Sequence, residues 1–215
     1  MSIQHHPDDD LLLAFATGSL DMPMSLILAA HLSFCPRCRS IVALGERVGG
    51  VLLNDIEPVP LAADALQRTL VRLDAPETRR PASSVPASND NTPAPLRAFL
   101  GRDLSQMRWR KLGPSLGYVT LYRKGPLAMR LLRGAPGSDV GRHSHRGMEY
   151  TLVLRGGFSD ETGRYGPGDF QAASSDVAHN PVADHDGDCI NLSVTTDSLC
   201  FEGMVQKIVG RLFGF

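Results

Sequence analysis

Apolar residues recur along this chain with two different periods. In the first third the spacing is helical: Leu11-Leu12-Leu13-Ala14-Phe15-Ala16 is apolar enough to be buried on most sides, and Asp8-Asp9-Asp10 supplies the cap and first-turn carboxylates. Gly18 and Asp21-Met22-Pro23 stop this helix. A second helix is predicted from Met24 to about Phe34, with Leu28, His31, Leu32 and Cys35 on adjoining turns, so His31 faces the packed side. A third follows Pro36 through Ile41, Val42, Leu44 and Val48 toward Leu52, weakened by Gly45 and Gly49-Gly50. A fourth, Ala62 to Leu73, places Leu66, Leu70 and Leu73 at helical spacing with Arg68 and Arg72 turned away. Four short helices without a sheet make a small bundle over residues 1–75 that has little core of its own.

Residues 76–95 are Pro, Ala, Ser and Asn with scarcely any large apolar side chain, a composition that cannot offset the entropy of ordering and reads as a linker. Beyond it, over residues 96–215, the pattern changes to short strands separated by glycines and prolines. These are Met107-Lys111, Gly117-Arg123, Ala128-Gly134, Met148-Arg155, Phe158-Ser159, Phe170-Ala173 and Cys189-Thr195, a spacing that suits an antiparallel sandwich or barrel. An amphipathic tail, Val205 to Phe213, reads as a helix packed on the rest of the protein. The fold class expected is therefore a two-domain α + β chain, a small helical bundle followed by an all-β domain.

Composition narrows the function. A formal net charge of -1 over 215 residues argues against nucleic-acid binding through a broad basic face. No stretch approaches the ~20 apolar residues of a membrane span. The N-terminus is acidic where a signal peptide would be basic, which points to a cytoplasmic protein. Four cysteines do not make a disulfide scaffold at this length. Cys189 and Cys200 read as buried small residues, and His185 as a solvated turn residue.

Two groups of residues carry metal chemistry. On a helix His31 and Cys35 sit one turn apart on one face, and Cys38 arrives after Pro36 restarts the chain. With an imidazole from His5 or His6, two thiolates and two imidazoles make a tetrahedral Zn²⁺ site that would supply much of the bundle's folding free energy. Further on, His143 and His145 share one face of an extended strand, and Glu149 opens the next strand after a turn at Gly147. Two imidazoles and a carboxylate form a mixed N/O site, and His179 is an available fourth ligand.

The second group resembles the cupin family. From Gly137 to Gly156 the motif Gly-x5-His-x-His-x3-Glu-x6-Gly is kept in full. The second cupin motif is looser: Pro167-Gly168-Asp169 replaces Pro-x-Gly, and no asparagine follows His179 three or four positions on. The resemblance implies a double-stranded β-helix barrel; activity does not follow from it.

Joined to a His-x3-Cys-x2-Cys helical half and a linker, this cupin makes the whole chain resemble the ChrR-type anti-sigma factors. That resemblance implies a zinc-binding N-terminal domain that clamps an extracytoplasmic-function sigma factor one-to-one, and a cupin-like domain needed for release under singlet oxygen or related oxidative stress. It makes His6, His31, Cys35 and Cys38 the first zinc site, choosing His6 over His5. It makes His143, His145, Glu149 and His179 the second, for zinc or another divalent metal (iron, manganese or nickel). It also implies that helices of the first domain meet sigma, so the apolar positions of Leu11 to Phe15 and of Ala62 to Leu73 would face the partner. No enzyme activity, direct nucleic-acid contact or membrane contact is expected. The rival expectation is a metal-dependent, dioxygenase-like cupin enzyme with a structural zinc-binding appendage. A direct DNA-binding regulator is disfavoured, because the first domain has no basic recognition helix.

Overall fold

In the computed structural model, which describes residues 3–74 and 92–201, the four expected helices form with ends shifted by up to three residues. The helices are α1 (Asp9–Ala16), α2 (Met22–Phe34), α3 (Pro36–Asn54), α4 (Ala65–Asp74) and α5 (Ala94–Leu100). Asp21 caps α2 by accepting from the Met24 N–H at 3.0 Å, with Pro23 in the first turn, where its missing N–H costs nothing. Gly45, Gly49 and Gly50 do not break α3, which runs for 19 residues. The helix α5 was not foreseen. It begins inside the segment expected as linker, where Thr92 and Pro93 are buried and the Thr92 hydroxyl accepts from the Leu104 N–H at 3.1 Å. The rest of that linker lies outside the described residues, as does the tail expected as a helix from Val205 to Phe213.

The strands are β1 (Arg110–Leu112), β2 (Leu116–Lys124), β3 (Leu127–Gly134), β4 (His143–His145), β5 (Glu149–Arg155), β6 (Phe158–Asp160), β7 (Gly163–Tyr165), β8 (Phe170–Ala173), β9 (Val182–Ala183), β10 (Cys189–Thr195) and β11 (Leu199–Phe201). They form an antiparallel six-stranded sheet, β1-β2-β3-β10-β5-β8, faced by the small sheets β7-β6-β9 and β11-β4. This is a cupin-type β-domain. Among the described residues its three sheets do not join into one continuous hydrogen-bonded barrel.

Alternation divides the large sheet. Met129, Leu131, Leu152, Leu154, Phe170, Ile190, Leu192 and Val194 point outward, and that apolar face is covered by Met24, Ile27, Leu28 and Ala30 of α2 together with Leu96 of α5. The alternate residues point inward, where Val153 meets Phe158, Tyr165, Ala183 and Cys189. The helical bundle is small, as expected, but it does not stand apart: α2 is part of the sheet's core. Only Leu12, Cys35, Cys38 and Val42, with partly buried Ile3, Phe15, Leu32 and Ile41 around them, form a separate helical core. The helix α4 buries none of its side chains. No helix among the described residues is long and apolar enough to cross a membrane.

Candidate metal centres

The first group, His6, His31, Cys35 and Cys38, brings its ligand atoms within 4.8 Å of one another. Its geometry follows from the break between α2 and α3. Cys35 ends α2, donating its N–H to the His31 carbonyl at 3.1 Å, and also starts α3, its Sγ accepting from the Cys38 N–H at 3.4 Å. Each thiol sulfur lies 3.4 Å from His6 Nδ1. Tetrahedral Zn–S and Zn–N bonds of about 2.3 and 2.0 Å would set such atoms ~3.5 Å apart. His31 Nδ1–H donates to the Gly168 carbonyl at 2.9 Å, which leaves Nε2 buried without a protein partner. That lone pair is the one a metal would use, with the other ring nitrogen fixing the tautomer.

Burial pushes the Cys38 thiol up to about 12, its hydrogen bond with Cys35 adding to the effect, and pushes the His31 imidazole down to about 4. The pocket thus disfavours either charge alone. A divalent cation against two thiolates cancels both, so these residues fit a closed Cys₂His₂ zinc site. His6, rather than His5, reaches the cluster. The His5 ring stacks on Tyr165 with centroids 4.3 Å apart.

The second group, His143, His145, Glu149 and His179, is likewise within 4.8 Å and wholly buried. Paired backbone hydrogen bonds hold His143 beside His179, N–H to carbonyl at 3.0 and 2.9 Å. All three Nε2 atoms surround Glu149 Oε2, at 3.7 Å for His143, 2.9 Å for His145 and 3.8 Å for His179. His143 Nδ1–H donates to the Gly141 carbonyl at 2.8 Å and His179 Nδ1–H to Asp160 Oδ2 at 2.7 Å, so both Nε2 atoms turn inward. Ser193 Oγ donates to Glu149 Oε1 at 2.8 Å and aims the carboxylate. Burial alone would raise the Glu149 pKa, but the three imidazoles outweigh it and hold the carboxyl well below its usual range. For His179 burial acts downward, and the bonds to Asp160 and Glu149 overcome it, raising the imidazole to about 9. Three imidazoles and one carboxylate fit a hard or borderline divalent metal and do not choose among zinc, iron, manganese and nickel.

The second group opens onto a cavity of about 270 Å³ between the sheets. Sequence reasoning found all eight clustered residues but not those that aim them: Asp160, Ser193 and the carbonyls of Gly141 and Gly168. Cys189 is buried, its thiol pushed up to about 12, Cys200 is partly exposed, and His185 lies exposed in its turn.

Besides the packing of α2 on the sheet, the two halves meet at the turn before β8. Asp169 Oδ1 accepts from the Gln4 and His5 N–H groups at 2.7 and 3.0 Å, its Oδ2 accepts from the Gly166 N–H at 2.8 Å, and the Phe170 N–H donates to the His5 carbonyl at 3.1 Å. Gly168 takes φ +90°, and a Cβ there would lie 2.9 Å from Ile3 Cδ1 and 3.0 Å from Phe34 Cβ. Only glycine permits this approach.

Fold and clusters define a two-part protein, a helical half with a His/Cys cluster packed on a cupin with a His/Glu cluster, each able to hold a metal ion. The ChrR cupin-like domain family matches residues 99–196. The anti-sigma-E factor ChrR of Cereibacter sphaeroides is 40% identical over 213 residues, 99% of each chain. The crystal structure of Rhodobacter sphaeroides SigE in complex with the anti-sigma ChrR is similar to this chain at a TM-score of 0.78 and 40% identity, covering 90% of this chain and 99% of that one. The chain belongs to the ChrR family of anti-sigma factors.

Proposed function

We propose that this protein sequesters an extracytoplasmic-function sigma factor in a one-to-one cytoplasmic complex and releases it under oxidative stress, singlet oxygen included. The observation that carries the sequestering half is an uncovered apolar surface running from the end of α3 into α4. Val51, Leu52 and Leu66 are 63%, 62% and 72% exposed, beside exposed Leu44, Val48, Leu53, Leu70 and Leu73. A surface of this kind calls for a protein partner. It extends the expected Ala62 to Leu73 face back along α3, while in α1 Leu13 is exposed and Leu12 is buried. The protein needs no contact with DNA in this reading and acts as a regulator, not an enzyme.

Zinc at His6, His31, Cys35 and Cys38 shapes the clamp, and the cupin metal at His143, His145, Glu149 and His179 receives the signal. The turn at Gly168 supports this order of events. Gln171, three residues on, donates to Asp160 Oδ2 at 2.7 Å, and the same oxygen holds His179. A change in the cupin site therefore has a short path through β8 to Gly168 and His31. Several-fold release needs only about 1–3 kcal/mol of differential stability between bound and free states.

The test is co-expression with a candidate extracytoplasmic-function sigma factor. The full chain should form a stable one-to-one complex, and the complex should need residues 1 to about 75. Val51→Asp with Leu52→Asp should abolish the complex without unfolding the chain. Replacing His143, His145 and Glu149 by alanine should leave sigma bound after oxidant treatment. A retained response in that variant would remove the cupin from the pathway. No complex, together with substrate turnover, would favour the cupin-enzyme reading, which the cavity beside the second cluster supports.

A further inference from the structure

His5 belongs to neither metal cluster, yet the cupin half holds it by both backbone and ring. Its N–H donates to Asp169 Oδ1 at 3.0 Å and its carbonyl accepts from the Phe170 N–H at 3.1 Å. Its ring lies across one face of β7. The Tyr165 ring is 4.3 Å away, centroid to centroid, and a Cβ on Gly163, two positions earlier, would lie 3.7 Å from His5 Cε1. The next residue is His6, whose Nδ1 stands 3.4 Å from both thiol sulfurs. Buried Pro7 limits the backbone beyond it. The placing of His6 in the first cluster therefore depends on where β7 holds His5.

The strand β7 is tied in turn to the second cluster. The Thr162 hydroxyl has one hydrogen, which it gives to Asp160 Oδ1 at 2.6 Å. The 2.8 Å bond between Thr162 Oγ1 and Tyr165 Oη must then carry the tyrosine's hydrogen. From the other side, His179 Nδ1–H donates to Asp160 Oδ2 at 2.7 Å, and the Asp160 side chain is fully buried. The row thus runs from Tyr165 O–H to Thr162 O–H to the Asp160 carboxylate, where His179 N–H meets it. Hydrogen bonds joined in such a row strengthen or weaken together. His179 Nε2 is buried with no hydrogen bond of its own, so nothing but a metal would anchor that edge of the ring. A metal there would fix the imidazole against Asp160.

We infer that His5 and Tyr165 are positioning residues for the first centre: through the Thr162–Asp160 row they hold His6 in place more firmly when the second centre carries its metal. The route through Gly168 ends on His31, whereas this one ends on His6. The two imidazoles of the first cluster come from different segments, and each has its own tie to the cupin. Because coupling is reciprocal, the first metal should also steady the second. The inference rests on the reading of both clusters as metal centres.

The experiment uses the full-length chain loaded with cobalt, whose thiolate absorption can arise only at Cys35 and Cys38, because the second cluster contains no sulfur. Metal content is measured first. Decay of that absorption in a chelator is then compared between the intact chain and His145→Ala, which empties the second cluster without touching the row. Emptying it should speed the decay about fivefold. Tyr165→Phe keeps the ring and removes the O–H, and Thr162→Val removes the middle of the row. In either background the same comparison should give rates within about twofold of each other. His5→Phe keeps the stack and should keep the ratio, whereas His5→Ala should lose it. A stack that only stabilises the fold would speed both rates alike and leave the ratio unchanged. Survival of the ratio in Tyr165→Phe, Thr162→Val or His5→Ala, or its loss in His5→Phe, overturns the inference. Equal decay in the intact chain and His145→Ala overturns it while leaving both metal centres standing. An intact chain that takes up only one ion overturns the reading of the second cluster as well.

Discussion

The two candidate centres are built on opposite plans. His6, His31, Cys35 and Cys38 sit packed at a helix junction, and burial keeps an isolated thiolate or imidazolium out. His143, His145, Glu149 and His179 line a cavity, and hydrogen bonds hold Glu149 charged there. A closed site of four protein ligands has no room for a small molecule and contributes to folding; a site beside a cavity can exchange ligands at modest structural cost. On the proposed reading, the difference fits scaffolding at the first and response at the second. It predicts that removing each metal has a different consequence.

The largest effect should come from the closed site. Cys38→Ala leaves three ligands in a helical core of four buried side chains. Loss of the first metal should melt α1 and α3, reduce bound metal from two ions per chain to one, and lower stability by several kcal/mol, on the order of 3–5. The apolar face of α2, held in the sheet's core, should stay put. His143→Ala should also cost one metal ion, but it should leave the helical circular dichroism and the thermal midpoint within a few degrees. Equal losses of stability in the two variants would erase the contrast.

Next in size is the contact between the halves. Gly168→Ala places a Cβ at φ +90° and within 3.0 Å of both Ile3 and Phe34. Backbone strain of about 1–2 kcal/mol adds to that clash. The first site should then lose zinc to a chelator faster, because the carbonyl that orients His31 is displaced, while the second metal is unaffected. Chelator competition followed separately at the two sites checks this. In the unaltered protein, alkylation at pH 8 should modify Cys200 first and leave Cys189, whose thiol is pushed up to about 12, untouched. Cys35 and Cys38 should join only after chelation.

Much of this was legible in the sequence because local chemistry wrote it there. The His31-x3-Cys35 spacing is a helical face, Pro36 is a helix start, and His143-x-His145 is a strand face, so each cluster declares its own backbone. Strands β8 and β10 were readable to their terminal residues, because a glycine turn precedes each and a polar Ser/Thr/Asp turn follows it. Two things were not legible. Met24, Ile27 and Leu28 give the same helical signal whether they cover a bundle or a sheet, and nothing local says that their partners are Met129, Leu152 and Leu192. Likewise Pro167-Gly168-Asp169 announces a turn but not that the turn receives His31, 137 positions away. Long-range pairing of that kind comes from the three-dimensional fold alone, and it converts two separately readable centres into a connected pair.

The smallest effect tests that connection most directly. Asp169 uses one oxygen for Gln4 and His5 and the other for Gly166. Asp169→Asn keeps the shape but turns one acceptor into a donor. Either the turn or the N-terminal segment then meets an N–H with another N–H, a cost of about 1–2 kcal/mol. His6 follows His5 in the chain, so the loosened segment should release first-site zinc a few-fold faster, with the His31 side of the site intact. Because Gly168 and Asp169 act on one contact, the Gly168→Ala, Asp169→Asn double variant should cost less than the two single losses added together. Full additivity in zinc-release rates would mean that His6 and His31 are held independently, and the turn would then be two neighbouring contacts instead of a single latch between the centres.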